Sequence, residues 1–93
     1  MSFTFEWDDE KAVDNLTKHG VSFSEASTVF ADPLSRTIPD PLHSGEEDRL
    51  VVLGRSGLQH TVVVVHTYRG EVIRIISART ATSRERDYER GKE

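Results

Sequence analysis

The sequence predicts an α+β fold, in which a strand and two helices are followed by four antiparallel strands and a last helix. Three observations lead to this prediction. Apolar residues recur at helical spacing between residues 12 and 30, strand-like runs broken by turn residues fill residues 35–79, and a charged segment with a capping pair follows. Because helices grouped before strands typify α+β domains, we expect two helices to pack on one sheet. The 93 residues suffice for one domain, which we place at 1–93.

The first strand is predicted over residues 3–7, where aromatic side chains alternate with polar ones. Asp8 then stands where it can cap a helix whose first turn is acidic. Gly20 follows two basic residues and suits the end of that helix. We therefore expect a first helix between these two positions.

A second helix is predicted to start at Ser22, because Ser22 and Glu25 have the spacing of a capping box. Its apolar stripe consists of Phe23, Ala26, Val29 and Phe30. The Asp32–Pro33 step ends it, since the residue before a proline disfavours helical backbone. Both helices are short and need a sheet to pack on.

Four strands are predicted over residues 35–38, 49–55, 60–68 and 72–79, with turns at Gly57 and Gly70. Residues 62–65 are all valine, so this strand should be central and covered on both faces. Thr82 and Glu85 repeat the capping-box spacing and open a charged helix over residues 83–90.

The net charge of −4 conceals a division of the chain into two halves of opposite sign. Residues 1–48 carry a net charge of −8, whereas residues 49–93 carry +4, and eight of the nine basic residues in this second half are arginines. Arginine suits phosphate because its planar fork can donate two hydrogen bonds. The asymmetry fits phosphate binding, and a solvated surface of mixed charge is the alternative.

Cysteine is absent, which excludes a disulfide framework, thiolate metal ligands and a cysteine nucleophile. The start of the chain has neither a basic leader nor a long apolar run, so we expect a cytoplasmic protein with no membrane interaction. Neither His43 with Glu46 and Glu47, nor His60 with His66, has a standard ligand spacing. We therefore predict no metal and no other cofactor.

The chain resembles the BrnT family of toxins along nearly its whole length. The residues that carry the resemblance are Phe5-Glu6-Trp7-Asp8, Lys11, Asn15-Leu16, Lys18-His19-Gly20-Val21, Phe23, Glu25-Ala26, Val29-Phe30, Asp32-Pro33, Arg49, Gly54-Arg55, Ile73-Arg74-Ile75-Ile76-Ser77-Ala78-Arg79, Ala81, Arg84-Glu85-Arg86 and Tyr88. The resemblance implies a RelE-like fold and a metal-independent ribonuclease that arrests growth by cutting RNA. It also implies a BrnA-like antitoxin with a ribbon-helix-helix segment, through which alone the toxin would reach operator DNA.

Metal-free RNA cleavage needs a base for the 2′-hydroxyl, cations for the phosphate and an acid for the leaving oxygen. Arg55 and Arg79 end predicted strands, and Arg74 is a charge within an apolar strand, so these three are the candidate catalytic cations. Successive side chains of a strand point to opposite faces, so Arg74 and Arg79, five residues apart, lie on opposite faces unless a bulge intervenes. Surface pairing with carboxylates is the alternative role.

The proton-transfer groups are less clearly marked. Glu47, beside Glu46 in a loop, and His66 are the candidates for acid–base work, with His60 on the same strand face as His66. A solvated carboxylate and a packed histidine are the respective alternatives. The predicted RNA contacts are Lys18 and His19 at a helix end and Arg84 and Tyr88 in the last helix.

Two further functions remain open at this stage. The chain could be a non-catalytic module that holds a DNA-binding partner and tunes operator repression, because an acidic chain is a poor DNA binder alone. It could also be a toxin that kept the fold and lost activity.

Overall fold

The computed structural model describes residues 2–40 and 48–89, and it confirms the α+β class with five strands and three helices. The strands are β1 (Thr4–Glu6), β2 (Arg36–Pro39), β3 (Leu50–Arg55), β4 (Thr61–Arg69) and β5 (Val72–Thr80). The helices are α1 (Asp9–His19), α2 (Phe23–Thr28) and α3 (Ser83–Glu89), and a single 3-10 turn, Val29–Ala31, continues α2.

The five strands form one sheet in the order β1-β5-β4-β3-β2. Strands β2 to β5 are an antiparallel meander, as predicted, but β1 pairs with β5 in parallel, so the prediction of an antiparallel sheet holds for only four strands. The cause is the route of the chain. After β1 it crosses through both helices to the far edge at β2, and the meander then returns to place β5 beside β1.

Helices α1 and α2 cover one face of the sheet, and the hydrophobic core lies between them and the central strands. The core consists of Val21, Phe23, Ala26, Val29, Val52, Val62, Val64, Ile75 and Ala78. The buried amide of Asn15 joins α1 to β5, because it donates to the Ala78 carbonyl at 2.9 Å and accepts from the Ala78 amide at 3.0 Å. We call this side of the sheet the helix-packed face.

The helix ends follow from local chemistry with one departure. Asp8 caps α1 by accepting from the amides of Glu10 and Lys11, and Gly20 ends α1 in the left-handed conformation, with φ of 71°. Ser22 accepts from the Glu25 amide, but the Glu25 carboxylate turns away from α2 and binds the β3–β4 hairpin instead. The predicted capping box of α2 is therefore only half formed.

Candidate active site on the arginine face

A bulge in β5 brings Arg74 and Arg79 to the same side of the sheet. Between Val65 and His66 the register of β4 against β5 shifts by one residue, which leaves Ile76 as an extra residue on β5. A bulge of this kind reverses the alternation of side chains beyond it. The two arginines therefore share a face although they are five residues apart. The bulge is the irregularity that simple alternation of side chains required for this arrangement.

The strand register places further arginines on this face, which lies opposite α1 and α2. Arg79 pairs with Val63 and Arg74 with Thr67, both at alternate positions of β4. The same alternation adds three more, so that the arginine face is defined by Arg36, Arg55, Arg69, Arg74 and Arg79. Positive charge is thus concentrated on one side of an acidic protein.

Arg79 forms a two-pronged ion pair with Glu85 of α3. Its Nη1 and Nη2 donate to Oε1 and Oε2 of Glu85 at 2.8 and 2.9 Å. Glu85 also closes a capping box, since the Thr82 amide donates to Oε1 and Thr82 Oγ1 accepts from the Glu85 amide. The hydrogen bonds from Arg79 lower the pKa of Glu85 to about 2, and the same bonds raise the pKa of Arg79 above its ordinary value.

Arg74 is paired with a carboxylate at the β1 edge of the sheet. Its Nη1 donates to Oε2 of Glu6 at 2.9 Å, and Nε of Arg69 lies 3.7 Å from the same oxygen. Glu6 is the register partner of Arg74 on β1, so the pairing follows directly from the parallel contact of β1 with β5. Both candidate cations of β5 are therefore held by carboxylates in the structure.

Helix α3 covers one end of the arginine face and leaves a small cavity beneath it. The cavity, of about 150 Å³, is lined by Arg36, Ile38, Val51, Leu53, Val63, Glu85 and Tyr88. The Tyr88 ring lies 4.9 Å from the guanidinium carbon of Arg36, a cation–π contact that fixes the ring over the sheet. Tyr88 remains 45% exposed, so it has a face available for stacking.

Arg55 ends β3 on the same side and toward the same end of the sheet as Arg79. Its amide donates to Oδ2 of Asp32 at 2.8 Å, which anchors this strand end to the turn after α2. Arg55 pairs with Thr61 and Arg79 with Val63, with β4 between them. Strand geometry therefore separates the two Cα atoms by about 12 Å, within reach of a common phosphodiester for two long side chains.

Of the other predicted site residues that the structure describes, His66, Lys18 and His19 are not brought to this face. His66 is 1% exposed on the helix-packed face, where Phe30 packs edge-on at 4.7 Å, and burial lowers its pKa. Lys18 and His19 are exposed at the end of α1, in the layer behind the sheet. Arg84 is exposed on α3, on the side of the arginine face. The positions of Glu46, Glu47 and His43 lie outside the described residues.

One polar cluster was not expected from the sequence. Glu25, with a side chain only 7% exposed, accepts from Ser56 Oγ at 2.7 Å, and its Oε2 lies 2.7 Å from Nδ1 of His60. The capping-box spacing predicts a helix-cap role for Glu25, and no local pattern predicts a partner for His60. The amphipathic pattern of α2 offered one usable signal, because a glutamate beside Phe23 and Ala26 on a core-facing stripe must find a buried partner.

The described parts of the chain contain neither a group of metal-binding side chains nor a membrane-spanning helix. Within residues 2–40 and 48–89, no three His, Cys, Asp or Glu side chains are grouped so that they could hold a metal ion. In the same ranges no helix has the length and apolar character needed to cross a membrane.

Comparison with known proteins supplies the family. The family model for the ribonuclease toxin BrnT of type II toxin–antitoxin systems matches residues 7–85. The crystal structure of the Brucella abortus ribonuclease toxin BrnT, at 1.1 Å resolution, superposes with a TM-score of 0.69 and 22% identity, covering 88% of this chain and all of that one. No curated protein sequence matches the chain. The match over residues 7–85 includes β5 and the start of α3, and the chain therefore belongs to the BrnT family of type II ribonuclease toxins.

Proposed function

We propose that this chain is an active endoribonuclease that cuts RNA on the arginine face without a metal ion. The 2′-hydroxyl of the substrate attacks its own phosphate, leaving a 2′,3′-cyclic phosphate on one product and a 5′-hydroxyl on the other. Only RNA carries this nucleophile, which accounts for the choice of substrate. The proposal includes a RelE-like arrangement of one domain, acting in the cytoplasm.

The observation that carries the proposal is the pairing of Arg79 with both oxygens of one carboxylate. A guanidinium presented for two parallel hydrogen bonds is equally suited to two oxygens of a phosphate. Glu85 thus occupies the place on Arg79 that a substrate phosphate would take. In this scheme Arg79 neutralises the charge that builds on the scissile phosphate, and Arg55 approaches from β3, on the other side of β4.

Other groups on this face have roles that fit RNA better than a protein surface. Tyr88 holds its ring over the cavity beside Arg36, where a base of single-stranded RNA can stack. Arg74 lies about 13 Å from Arg79 along β5, so it binds a neighbouring phosphate of the strand, with Arg84 on α3 as a further contact. Lys18 and His19 can touch only RNA that extends around the edge of the sheet.

The acidic half of the chain supports a basic antitoxin as the partner. Helix α1 shows Asp9, Glu10 and Asp14 to solvent around Val13, which is 65% exposed. An apolar side chain within acidic surroundings suits a basic amphipathic segment. We propose a BrnA-like antitoxin that docks a basic segment on α1, neutralises the toxin and supplies the ribbon-helix-helix contact with operator DNA.

The test is cleavage of a short RNA by purified protein in EDTA. The wild type should produce a 2′,3′-cyclic phosphate end, and Arg79→Ala should lower the rate by about 10²- to 10³-fold, the usual loss when a group that stabilises transition-state charge is removed. Arg79→Lys should recover only part of the rate, because an ammonium cannot form the paired hydrogen bonds. Lys11→Ala removes the same charge from exposed α1 and should cut RNA normally.

A second candidate function is favoured by the ion pairs themselves. Arg74 and Arg79 are both tied to carboxylates, as in a surface that serves only to hold a partner. A non-catalytic module would bind the antitoxin tightly and leave RNA intact at every protein concentration. That outcome, with the wild type folded, would replace the enzyme by the binding module.

A further inference from the structure

We propose that His60 is the general base of the cleavage reaction and that Glu25 is its positioning residue, an inference that rests on the proposed function. The geometry that points to it is the hydrogen bond between a buried carboxylate and a solvent-facing imidazole. Glu25 has a side-chain exposure of 7%, whereas that of His60 is 57%. The pair therefore has one end fixed in the protein and the other in contact with solvent.

The hydrogen bond decides which ring nitrogen can accept a proton. In the proposed pair the Glu25 carboxylate only accepts hydrogen bonds, so Nδ1 of His60, 2.7 Å from Oε2 of Glu25, carries the proton. In the neutral imidazole Nε2 then holds the lone pair. Ser56 donates to the same oxygen of Glu25 at 2.7 Å and helps to fix the carboxylate. The arrangement presents a base in one tautomer and one orientation.

The location of His60 suits a base for a phosphate held by the arginines. His60 immediately precedes Thr61, the register partner of Arg55, and the carbonyl of Thr61 accepts from the amide of Ala81, two residues after Arg79. The ends of β3 and β5 and the start of β4 therefore meet at one end of the sheet. His60 reaches this end from the side of α2, through its contact with Glu25, while Arg79 reaches it from the arginine face.

The proposed step moves one proton to His60 and exchanges one phosphorus–oxygen bond for another. Nε2 of His60 takes the proton of the 2′-hydroxyl, the bond from O2′ to phosphorus forms, and the bond from phosphorus to O5′ breaks. The leaving O5′ takes a proton from water, and the imidazolium later returns its proton to solvent. No oxidant, reductant or metal enters the reaction.

The test compares His60→Ala with Arg79→Ala on the same RNA. His60→Ala should lower the cleavage rate by about 10²-fold, a typical contribution of a general base, and added imidazole should restore part of it. Arg79→Ala should gain nothing from imidazole. Glu25→Gln keeps a hydrogen-bonding group of the same size but loses the charge, so it should lower the rate while imidazole has no effect. Thermal unfolding of each variant separates loss of rate from loss of fold.

A second substrate distinguishes a base from an acid. When sulfur replaces the 5′ leaving oxygen, departure needs no proton, so a variant lacking the acid recovers its rate and a variant lacking the base does not. His60→Ala should therefore remain slow on this substrate, and recovery would overturn the assignment as a base. Wild-type cleavage with an unchanged His60→Ala rate would overturn the inference and leave the proposed function standing. No cleavage by the wild type would overturn both.

Discussion

The two faces of the sheet are built from the same strands but are stabilised by different interactions. On the helix-packed face, Val62, Val64 and Ile75 are at most 2% exposed beneath α1 and α2. On the arginine face, Arg79 is exposed and is held by Glu85, whose own side chain is 32% exposed. Burial of apolar surface stabilises the first face, whereas the ion pairs of the second are screened by solvent.

This difference separates stability from activity within a single strand. Ile75 and Arg79 both lie on β5, yet the bulge at Ile76 sets which side each one faces. Substitutions of the apolar core residues on the helix-packed face should change the free energy of unfolding with little change in the rate per folded molecule. Substitutions of Arg79 should mainly change the rate.

The largest effect on stability is expected for Phe23→Ala. Phe23 is 2% exposed and meets Trp7 edge-on, with ring centroids 5.9 Å apart. Removing a buried aromatic ring from a core usually costs about 3–5 kcal/mol, which is a large share of the stability of a small domain. Urea denaturation measures the loss.

The milder Ile75→Val allows the rate to be measured on folded protein. It should lower the free energy of unfolding by about 0.5–1.5 kcal/mol and leave cleavage unchanged. A large fall in the cleavage rate with Ile75→Val would contradict the claim that core substitutions affect stability and not activity.

Asn15→Ala should have the next largest effect, although it removes a polar side chain. The Asn15 amide donates to the carbonyls of Val21 and Ala78 and accepts from the Ala78 amide, all within 3.0 Å. Its loss leaves buried backbone groups without partners, each worth about 1–3 kcal/mol, so we expect a total near 3 kcal/mol. Asn15→Asp keeps the acceptor but loses both donated bonds and should also destabilise. A loss below about 1 kcal/mol would mean that water satisfies these groups.

The sequence predicted the elements better than it predicted the site. Caps at Asp8, Gly20 and Ser22 are local, so the helix ends could be inferred from residue types alone. The parallel contact of β1 with β5 and the bulge at Ile76 depend on how distant segments pair, and no local pattern specifies them. For this reason the sequence identified Arg79 as a candidate, but its position on the arginine face could not be predicted.

The two histidines His60 and His66 also show that burial and partners cannot be predicted from strand periodicity. The alternation predicted one strand face for both histidines, but His60 precedes β4 while His66 lies within it, and their surroundings differ completely. His66 is enclosed by Phe30 and Tyr68, whereas His60 is half exposed and paired with Glu25 of α2. Strand periodicity gives the side on which a residue lies. Its burial and its partners depend on which helix packs there.

Glu85→Gln should have a moderate effect on stability, and it tests the ion pair of the arginine face directly. Because the folded-state pKa of Glu85 is about 2, below its ordinary value of 4.5, its ion pair stabilises the fold above pH 4.5. That contribution is lost as the pH falls from 4.5 toward 2. Both partners are partly exposed, so we expect about 1 kcal/mol.

Urea denaturation at pH 6 and at pH 3 measures this contribution in the wild type and in Glu85→Gln. The wild type should lose more stability between the two values, while glutamine retains the capping box with Thr82. RNA affinity should rise several-fold in the variant, because the substrate phosphate no longer competes with a carboxylate for Arg79. Equal affinity in both proteins would show that Glu85 does not occupy the phosphate position.

Glu6→Gln is expected to have the smallest effect, and it tests whether the two ion pairs of the arginine face are equivalent. Glu6 and Arg74 are 38% and 29% exposed, so the pair should contribute about 0–1 kcal/mol to folding and less at high salt. Arg74 lies about 13 Å from Arg79, so its release should strengthen RNA binding without changing the cleavage rate at saturating RNA. Single-turnover kinetics across RNA concentrations separate these two quantities. An increase in the cleavage rate at saturating RNA would instead place Arg74 at the scissile phosphate.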